Sequence, residues 1–274
     1  MAERLVFVTK SKQPFHEERS VKFKWVAGQA LSKKRECASN LVSAAAELHG
    51  LKCVMEISRA SDELGQQFSA FRLRVRVSPT EKPTTVEVVY QNSKVWAHAR
   101  AESEFVNYSG SAFDAKKRAN LRREEGGKLR DFCVCVDGRE FHFDLEPKDA
   151  FYNWLYIKAL RQKHNERLVA ALESRICQEC RVSDLRQIAH LGENCRIGFT
   201  DVFFNPQKGK QYNCQARALA QYISLRIYHP EQLDRIFPPH EESLSAAGDL
   251  EESFRKYVEF VHEQSPDGSL DLLL

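Results

Sequence analysis

The stretch TTVEVVYQNSKVWAH, residues 84–98, carries the most informative pattern in this chain of 274 residues. Read as a helix, it places five polar side chains on one face, because their spacing repeats over successive turns. They are Glu87, Tyr90, Gln91, Lys94 and His98. The other face carries the apolar side chains of Val86, Val89 and Trp96. A buried lysine beside a carboxylate is costly unless it performs chemistry, and lysine is suited to pKa shifts and Schiff bases.

Two structural interpretations of the same residues stand beside this one. Thr84 and Glu87 have the spacing of a capping box, in which the carboxylate binds the backbone amide of the N-cap residue. The charged stripe is also typical of a helix face that points into solvent. Spacing alone leaves the chemical and the structural interpretations open.

The composition is that of an ordinary globular protein, with 42% hydrophobic and 29% charged residues. The length suits one large domain or two small ones. No apolar run approaches the roughly 20 residues of a membrane helix. The first residues, MAERLVFVTKSK, lack the apolar core of a signal peptide. We therefore expect a cytosolic protein without a membrane partner.

The charge is unevenly distributed along the chain, although its net value is only +3. Residues 231–274 contain 11 acidic and three basic side chains, so this tail carries −8 and residues 1–230 carry +11. A basic body favours a polyanionic ligand such as a nucleotide or nucleic acid. The usual contribution of an acidic tail is solubility.

The eight cysteines are expected to be reduced thiols in a cytosolic chain. Cys177 and Cys180 form a CxxC pair that, with His190 and Cys195, can be drawn as a zinc site. No second CxxC pair completes the pattern, and cysteines three residues apart also arise by chance in a helix. We therefore predict no bound metal and no cofactor.

Periodicity and turn residues predict the remaining elements. Strands are predicted at 4–9, 21–26, 53–58 and 68–77, with a hairpin at 132–143 that turns at Asp137-Gly138. Helices are predicted over 31–48, 147–161, 165–177, 214–228 and 250–264. Pro147 is placed in the first turn of its helix and Asn213 at the N-cap of the helix at 214–228. Residues 59–67 are predicted as a polar loop, and Pro230 and Pro238-Pro239 bound a linker.

This order of elements predicts an α+β fold, rich in helix, with a small and mostly antiparallel sheet. It does not alternate strands and helices, and no Rossmann fingerprint or P-loop is present. We expect three regions along the chain. Residues 1–50 supply N-terminal strands and a helix, 51–230 form the catalytic domain, and 231–274 form an acidic linker, helix and tail.

Several motifs resemble the NADAR (YbiA-like) superfamily, in which an LSNF-type strand precedes a helix reading VExxYQxxK. The matching segments are EIS at 56–58, FSAF at 68–71, VEVVYQNSK at 86–94 and AKKR at 115–118. LEPKDAFYNWLY at 145–156, FTDVFFNP at 199–206 and NCQA at 213–216 resemble the subgroup of NADAR antitoxins encoded beside DarT-type DNA-modifying toxins. The resemblance covers about residues 50–228. It departs from the pattern at Ala70, where many members have asparagine.

The resemblance implies an N-glycosidase that removes ADP-ribose from guanine bases in nucleic acid, with a cognate ADP-ribosyltransferase toxin as its partner. The modified guanine would lie in DNA, with RNA and free nucleotide as open alternatives. Two other functions also stay open. One is N-glycosidase activity on a riboflavin-pathway or other small nucleotide metabolite, and the other is non-catalytic binding of ADP-ribose or nucleic acid.

For catalysis, the resemblance implies that Lys94 forms a Schiff base with ribose C1″ and that Glu87 shuttles the proton. Asp201 is a second candidate acid or ligand holder. This route requires that burial lower the pKa of Lys94. In the alternative route, water attacks an oxocarbenium-like centre with a carboxylate as base, and Lys94 only balances charge.

Nine further side chains are candidates for binding the ligand, although each also has an ordinary structural interpretation. Hydroxyls and cations suit phosphate and ribose, and aromatic rings suit a base. The candidates are Ser58, Arg59, Ser69, Phe71, Tyr90, Gln91, Lys116, Arg118 and Asn213.

Overall fold

The computed structural model describes residues 1–97, 110–205, 213–245 and 250–262. Its strands are β1 (Ala2–Thr9), β2 (His16–Phe23), β3 (Cys53–Glu56), β4 (Arg74–Val75), β5 (Thr84–Thr85), β6 (Lys94–Trp96), β7 (Leu129–Val136), β8 (Arg139–Phe143) and β9 (Ile197–Thr200). Its helices are α1 (Leu31–His49), α2 (Glu63–Gln67), α3 (Val86–Asn92), α4 (Ala112–Gly126), α5 (Ala150–Arg161), α6 (Glu166–Cys180), α7 (Arg186–Leu191), α8 (Gln215–Tyr228), α9 (Pro230–Ile236) and α10 (Leu250–His262).

The main sheet has the strand order β2-β1-β9-β3. β1 is antiparallel to β2 and β9, whereas β9 is parallel to β3. Gly198 of β9 lies where side chains from neighbouring segments come close to its backbone. A Cβ atom there would lie 2.7 Å from Val6 Cγ2 and 2.8 Å from Leu51 Cδ1, so only glycine fits without displacing the core.

Helices cover both faces of this sheet because its side chains alternate in direction. Val6 and Val8 of β1 pack with α1, and Phe7 between them lies in the larger core with α5 and α8. α5 is the centre of that core, and every one of its residues is buried. A smaller antiparallel sheet, β6-β7-β8, and the two-residue strands β4 and β5 lie beside it.

The predicted α+β class, with its helix-rich composition and mostly antiparallel sheets, is confirmed. β1, β3, the hairpin turn at Asp137-Gly138, and the helices α1, α6 and α10 lie close to their predicted positions, whereas β2 begins five residues before the predicted strand at 21–26. The predicted end of the last helix, Gln264, lies outside the described residues. None of the helices that the structure describes is both long enough and apolar enough to cross a membrane.

The prediction of one helix over residues 84–98 is wrong in its second half. α3 ends at Asn92, Ser93 is its C-cap, and the chain continues as β6, whose Lys94 pairs with Phe132 of β7. Strand pairing with β7 therefore overrides the helical period. His98 lies outside the described residues.

The predicted capping box is also wrong. The N-cap is Thr85 rather than Thr84, and its hydroxyl accepts a hydrogen bond from the backbone N–H of Val88 at 3.3 Å. Glu87 is consequently one residue too early in the helix to complete a capping box, and its carboxylate is available for other contacts.

Five other parts of the chain differ from the prediction. Residues 68–77 form only the short β4, because a turn in which Ser69 O accepts the N–H groups of Arg72 and Leu73 interrupts them. The predicted polar loop contains α2, which Asp62 caps, and the predicted linker contains α9. α5 begins at Ala150, after a turn in which the Ala150 N–H binds Pro147 O. Cys214, not Asn213, precedes α8.

Candidate active site

A pocket of about 440 Å³ opens between α3, α4 and the segments that follow β3 and β9. Ten of the twelve predicted site residues line it. They are Ser58, Arg59, Ser69, Phe71, Glu87, Gln91, Lys94, Lys116, Asp201 and Asn213. The fold thus brings together residues that lie more than 150 positions apart in the sequence.

A chain of three side chains along one wall ends at the lysine amine. Lys94 Nζ donates a hydrogen bond to Gln91 Oε1 at 2.8 Å, and Gln91 Nε2 donates to Glu87 Oε1 at 2.9 Å. The α3 turn places Glu87 and Gln91 four residues apart on one face, and the start of β6 returns Lys94 to the same wall. The hydrogen bond from the amine therefore goes to a neutral amide, which separates it from the carboxylate.

The amine of Lys94 has an environment that favours its neutral form. Burial lowers the pKa of Lys94 to about 8, against the opposing attraction of Glu87, and the positive charges of Lys116 and Arg123 lower it further. Its Nζ lies 4.7 Å from the centre of the Tyr90 ring. At pH 7 about a tenth of the molecules would hold a free amine at this position.

Two carboxylates lie where β3 and β9 end, and of these Asp201 lines the pocket whereas Glu56 does not. Asp201 Oδ2 accepts a hydrogen bond from Gln215 Nε2 at 2.9 Å, and Oδ1 accepts one from the Phe203 N–H at 2.9 Å. Glu56 is buried behind it and accepts the N–H groups of Val202 and Ser58 at 3.0 and 3.1 Å. Burial raises the pKa of Asp201. Burial and then the charge of Asp201 raise the pKa of Glu56 to about 8.

Gln215 joins the carboxylate side to the FSAF turn. Its Oε1 accepts the backbone N–H of Ala70 at 2.8 Å, while its Nε2 binds Asp201. The side chain of Ala70 itself is buried in the core. The departure from the family pattern at Ala70 therefore leaves a backbone contact, not a side-chain contact, to hold this turn.

Aromatic rings and cations alternate at the mouth of the pocket. The Arg59 guanidinium lies 5.4 Å from the Phe113 ring centre and 5.0 Å from that of Phe203. Phe113 also packs on Phe71 at 5.0 Å between ring centres, and its side chain is 56% exposed. Exposed rings beside cations are suited to stacking on bases and holding phosphates.

Two predicted binding residues do not line the pocket. Tyr90 belongs to the core, where its ring packs on Phe132 and Tyr152. Arg118 lies on α4, outside the lining set. Within the described residues, Cys177, Cys180, His190 and Cys195 do not form a group close enough to share an ion.

Several residues in or beside the site were not predicted from the sequence. Glu56 belongs to the EIS segment but was not predicted as a site residue. Its position at the end of a buried strand is the sequence feature that could have identified it. The lining set also contains Phe113, Asn120, Tyr152, Phe203, Phe204 and Gln215. Phe203, Phe204 and Gln215 lie in the segments that resemble the antitoxin subgroup, so the motif could have identified them.

The fold and the pocket define a class of protein in which an α+β scaffold places a lysine amine and the carboxylates of Glu87 and Asp201 in one ligand-sized cleft. The family of DarT1-associated NADAR antitoxins matches residues 2–253, and the chain belongs to this family. The resemblance noted in the sequence is thereby confirmed, and the match also includes β1, β2 and the start of α10. No curated protein matches the sequence.

Proposed function

We propose that this protein is an N-glycosidase that removes ADP-ribose from guanine bases in DNA and so reverses the action of a DarT1-type toxin. One observation carries the proposal. The Lys94 amine lies in a pocket, with its pKa lowered to about 8, and is linked through Gln91 to the carboxylate of Glu87. Membership of the antitoxin family supports the same conclusion.

The proposed reaction begins with the neutral amine of Lys94. When the ribose ring opens, C1″ becomes an iminium with the guanine nitrogen, and the Lys94 nitrogen adds to it. A proton passes from the lysine nitrogen to the guanine nitrogen, the C1″–guanine bond breaks, and a lysyl Schiff base remains. Water then adds to C1″ and releases ADP-ribose and the free amine, so the net reaction is hydrolysis.

Glu87 is the proposed proton carrier of this cycle. Its carboxylate lines the pocket and already holds the amide that binds Lys94. Asp201, whose pKa is raised by burial, is the proposed second acid or ligand holder on the other wall. Two carboxylates on opposite sides of a nucleophile resemble the arrangement that proton transfer to and from a sugar requires.

The rim supports a polyanionic substrate over a small neutral metabolite. Arg59 and Lys116 line the pocket, and each lies near an aromatic ring, Phe203 and Phe71 respectively. This set is chemically complementary to a pyrophosphate and to the bases on either side of it.

The test uses a DNA oligonucleotide with one ADP-ribosylated guanine, incubated with the wild-type protein and with Lys94→Met. We expect release of free ADP-ribose with multiple turnovers by the wild type only. Borohydride added during turnover should attach ADP-ribose covalently to Lys94, as detected by peptide mass spectrometry. Lys117→Met, an exposed change on α4, is the matched control and should behave like the wild type.

Each other result has a definite meaning. Turnover without borohydride capture would favour direct attack by water. Full turnover by Lys94→Met would reject both mechanisms. Stoichiometric binding without release would show an ADP-ribose-binding module, and the same assay with RNA and free nucleotide substrates ranks the three substrate forms.

A further inference from the structure

The β7–β8 hairpin carries a second cluster of reactive side chains, separate from the pocket. On one face, Phe132, Val134, Val136 and Phe143 enter the core. The residues between them lie on the other face. There Cys133 is directly opposite His142, and Cys135 is directly opposite Glu140. A thiol, an imidazole and carboxylates thus share one surface of the hairpin.

The ligand atoms of three of these residues are already close together. The sulfur of Cys133, a carboxylate oxygen of Glu140 and a ring nitrogen of His142 all lie within 4.8 Å of one another. In a tetrahedral zinc site, bond lengths of 2.0 to 2.3 Å place neighbouring ligand atoms roughly 3.3–3.6 Å apart. The side chains of His142 and Glu140 are 48% and 59% exposed, so they are free to move by the ångström or so that this requires.

A fourth residue, Asp131, has a carboxylate oxygen near the other ring nitrogen of His142. His142 Nδ1 lies 3.6 Å from Asp131 Oδ2, and His142 Nε2 lies 3.7 Å from Glu140 Oε2. In protein zinc sites, a carboxylate commonly holds the ring nitrogen that is not bound to the ion. Asp131 Oδ2 also accepts a hydrogen bond from Arg130, while Asp131 Oδ1 is buried with no hydrogen-bond partner within the described residues.

We propose that Cys133, Glu140 and His142 bind a divalent cation of the zinc class, with Asp131 orienting the histidine. The thiol selects a soft or borderline metal over Mg²⁺ and Ca²⁺, which prefer oxygen ligands. On binding, the Cys133 thiol loses its proton to solvent and the sulfur becomes a thiolate ligand. Three protein ligands leave the fourth position for water.

The position of this site connects it to the strand that carries Lys94. The Cys133 N–H donates to Ser93 O at 2.7 Å, and the adjacent residue, Phe132, pairs with Lys94. A bound ion would therefore brace β7 against β8 beside the backbone of Lys94. This inference does not depend on the proposed glycosidase activity, because metal binding is measured directly.

The test is titration of the metal-free full-length protein with Co²⁺ and with Zn²⁺. We expect one ion per chain and a thiolate-to-cobalt charge-transfer band. Cys133→Ser should remove the band, and His142→Ala should weaken Zn²⁺ binding at least tenfold. Asp131→Asn should weaken it about 10- to 100-fold and retain the band, as expected for a residue that positions a ligand.

Cys180→Ser is the matched control, because it removes the alternative CxxC pair and should leave binding unchanged. If Cys133→Ser does not fold, the exposed changes His142→Ala and Glu140→Gln decide the question. The proposal is overturned if the wild type binds no stoichiometric ion at micromolar concentrations. It is also overturned if Cys180→Ser abolishes binding while His142→Ala does not affect it.

Discussion

Lys158 is buried and Lys94 is half-buried, and the two lysines have different kinds of partner. The side chain of Lys158 is 0% exposed, and its Nζ lies 3.1 Å from Glu241 Oε2 in a direct ion pair. The amine of Lys94 instead donates to the neutral amide of Gln91, with the Glu87 carboxylate one hydrogen bond farther away. Burial lowers the pKa of both lysines.

The difference supports a structural role for Lys158 and the proposed chemical role for Lys94. Glu241 binds Lys158 of α5 through its carboxylate, and its carbonyl accepts the Lys163 N–H at 2.7 Å. Its segment is thereby attached to the core. Lys94 faces a pocket, where its amine can exchange the Gln91 contact for a substrate. In the proposed mechanism, the amide between the two charges keeps the amine available for reaction.

The largest expected effect is on activity, and it concerns Lys94. Lys94→Met should lower the rate of ADP-ribose release by at least about a thousandfold, because no other nucleophile replaces the amine. Initial rates on the modified oligonucleotide measure this. Lys158→Met should keep the specific activity of its folded fraction. Equal losses of activity in the two variants would contradict the different roles proposed for the two lysines.

The next effect is on stability, and it concerns Lys158. Lys158→Met should lower the free energy of unfolding by about 3–5 kcal/mol, because Glu241 then remains buried without its partner. Thermal or urea unfolding measures the loss. The double variant Lys158→Met/Glu241→Gln should recover much of it. A loss below about 1 kcal/mol in the single variant would show that the ion pair is not structural.

A carboxylate at position 91 should give Lys94 a direct ion pair like that of Lys158. Gln91→Glu places a carboxylate beside the amine and should raise the pKa of Lys94 toward the ordinary value of a lysine. The rate at pH 7 should fall about 10- to 100-fold and recover at higher pH. Gln187→Glu, an exposed change on α7, is the matched control. An unchanged pH profile would mean that the amide does not tune the amine.

The wild-type rate should itself report the pKa of Lys94. Below pH 8 the fraction of free amine rises about tenfold per pH unit, so the rate should rise with the same slope and level above about pH 8. The pH dependence of kcat/KM measures this. A rate independent of pH between 6 and 8 would contradict a neutral lysine nucleophile.

The smallest effect is a gain in stability when Lys94 is removed. The pKa of Lys94 is about 8 in the folded protein and near its ordinary value when unfolded, so the unfolded chain binds more protons between these values. Wild-type stability should therefore rise with pH above 8. At pH 7 the free-energy cost of the buried charge is fully present. Lys94→Met should therefore unfold at the same temperature as the wild type or a higher one, with a gain in the free energy of unfolding of at most on the order of 1 kcal/mol. A lower unfolding temperature for Lys94→Met would indicate that Lys94, like Lys158, stabilises the fold.

The sequence was a better guide to which residues meet than to how the backbone brings them together. The helical period placed Glu87, Gln91 and Lys94 on one wall, and they do share it, although Lys94 lies in a strand. A local period cannot foresee that β7, about 40 residues later, captures the chain after Ser93. Glu87, Tyr90 and Gln91 are buried and Lys94 is half-buried, so the solvated-face interpretation is wrong for the described part of the stripe.

Residues that depend on long-range pairing were harder to predict. Glu56 meets Asp201 only because β3 pairs with β9, which lies more than 140 positions away. Phe113 reaches the rim because α4 packs beside α3, which the basic composition of residues 114–130 did not indicate. Motif resemblance supplied Asp201, since it lies within a matching segment.

The order of strands in the main sheet has a consequence for how this protein is made. β9, an inner strand, is synthesised about 140 residues after β3 and separates it from the β1–β2 hairpin. At ribosomal speeds the early strands therefore wait on the order of ten seconds for their central neighbour. Asp201 and Gln215 are synthesised after that strand, so a partly synthesised chain that stops before residue 215 cannot have the complete pocket. The proposed activity could therefore begin only after the start of α8 has left the ribosome.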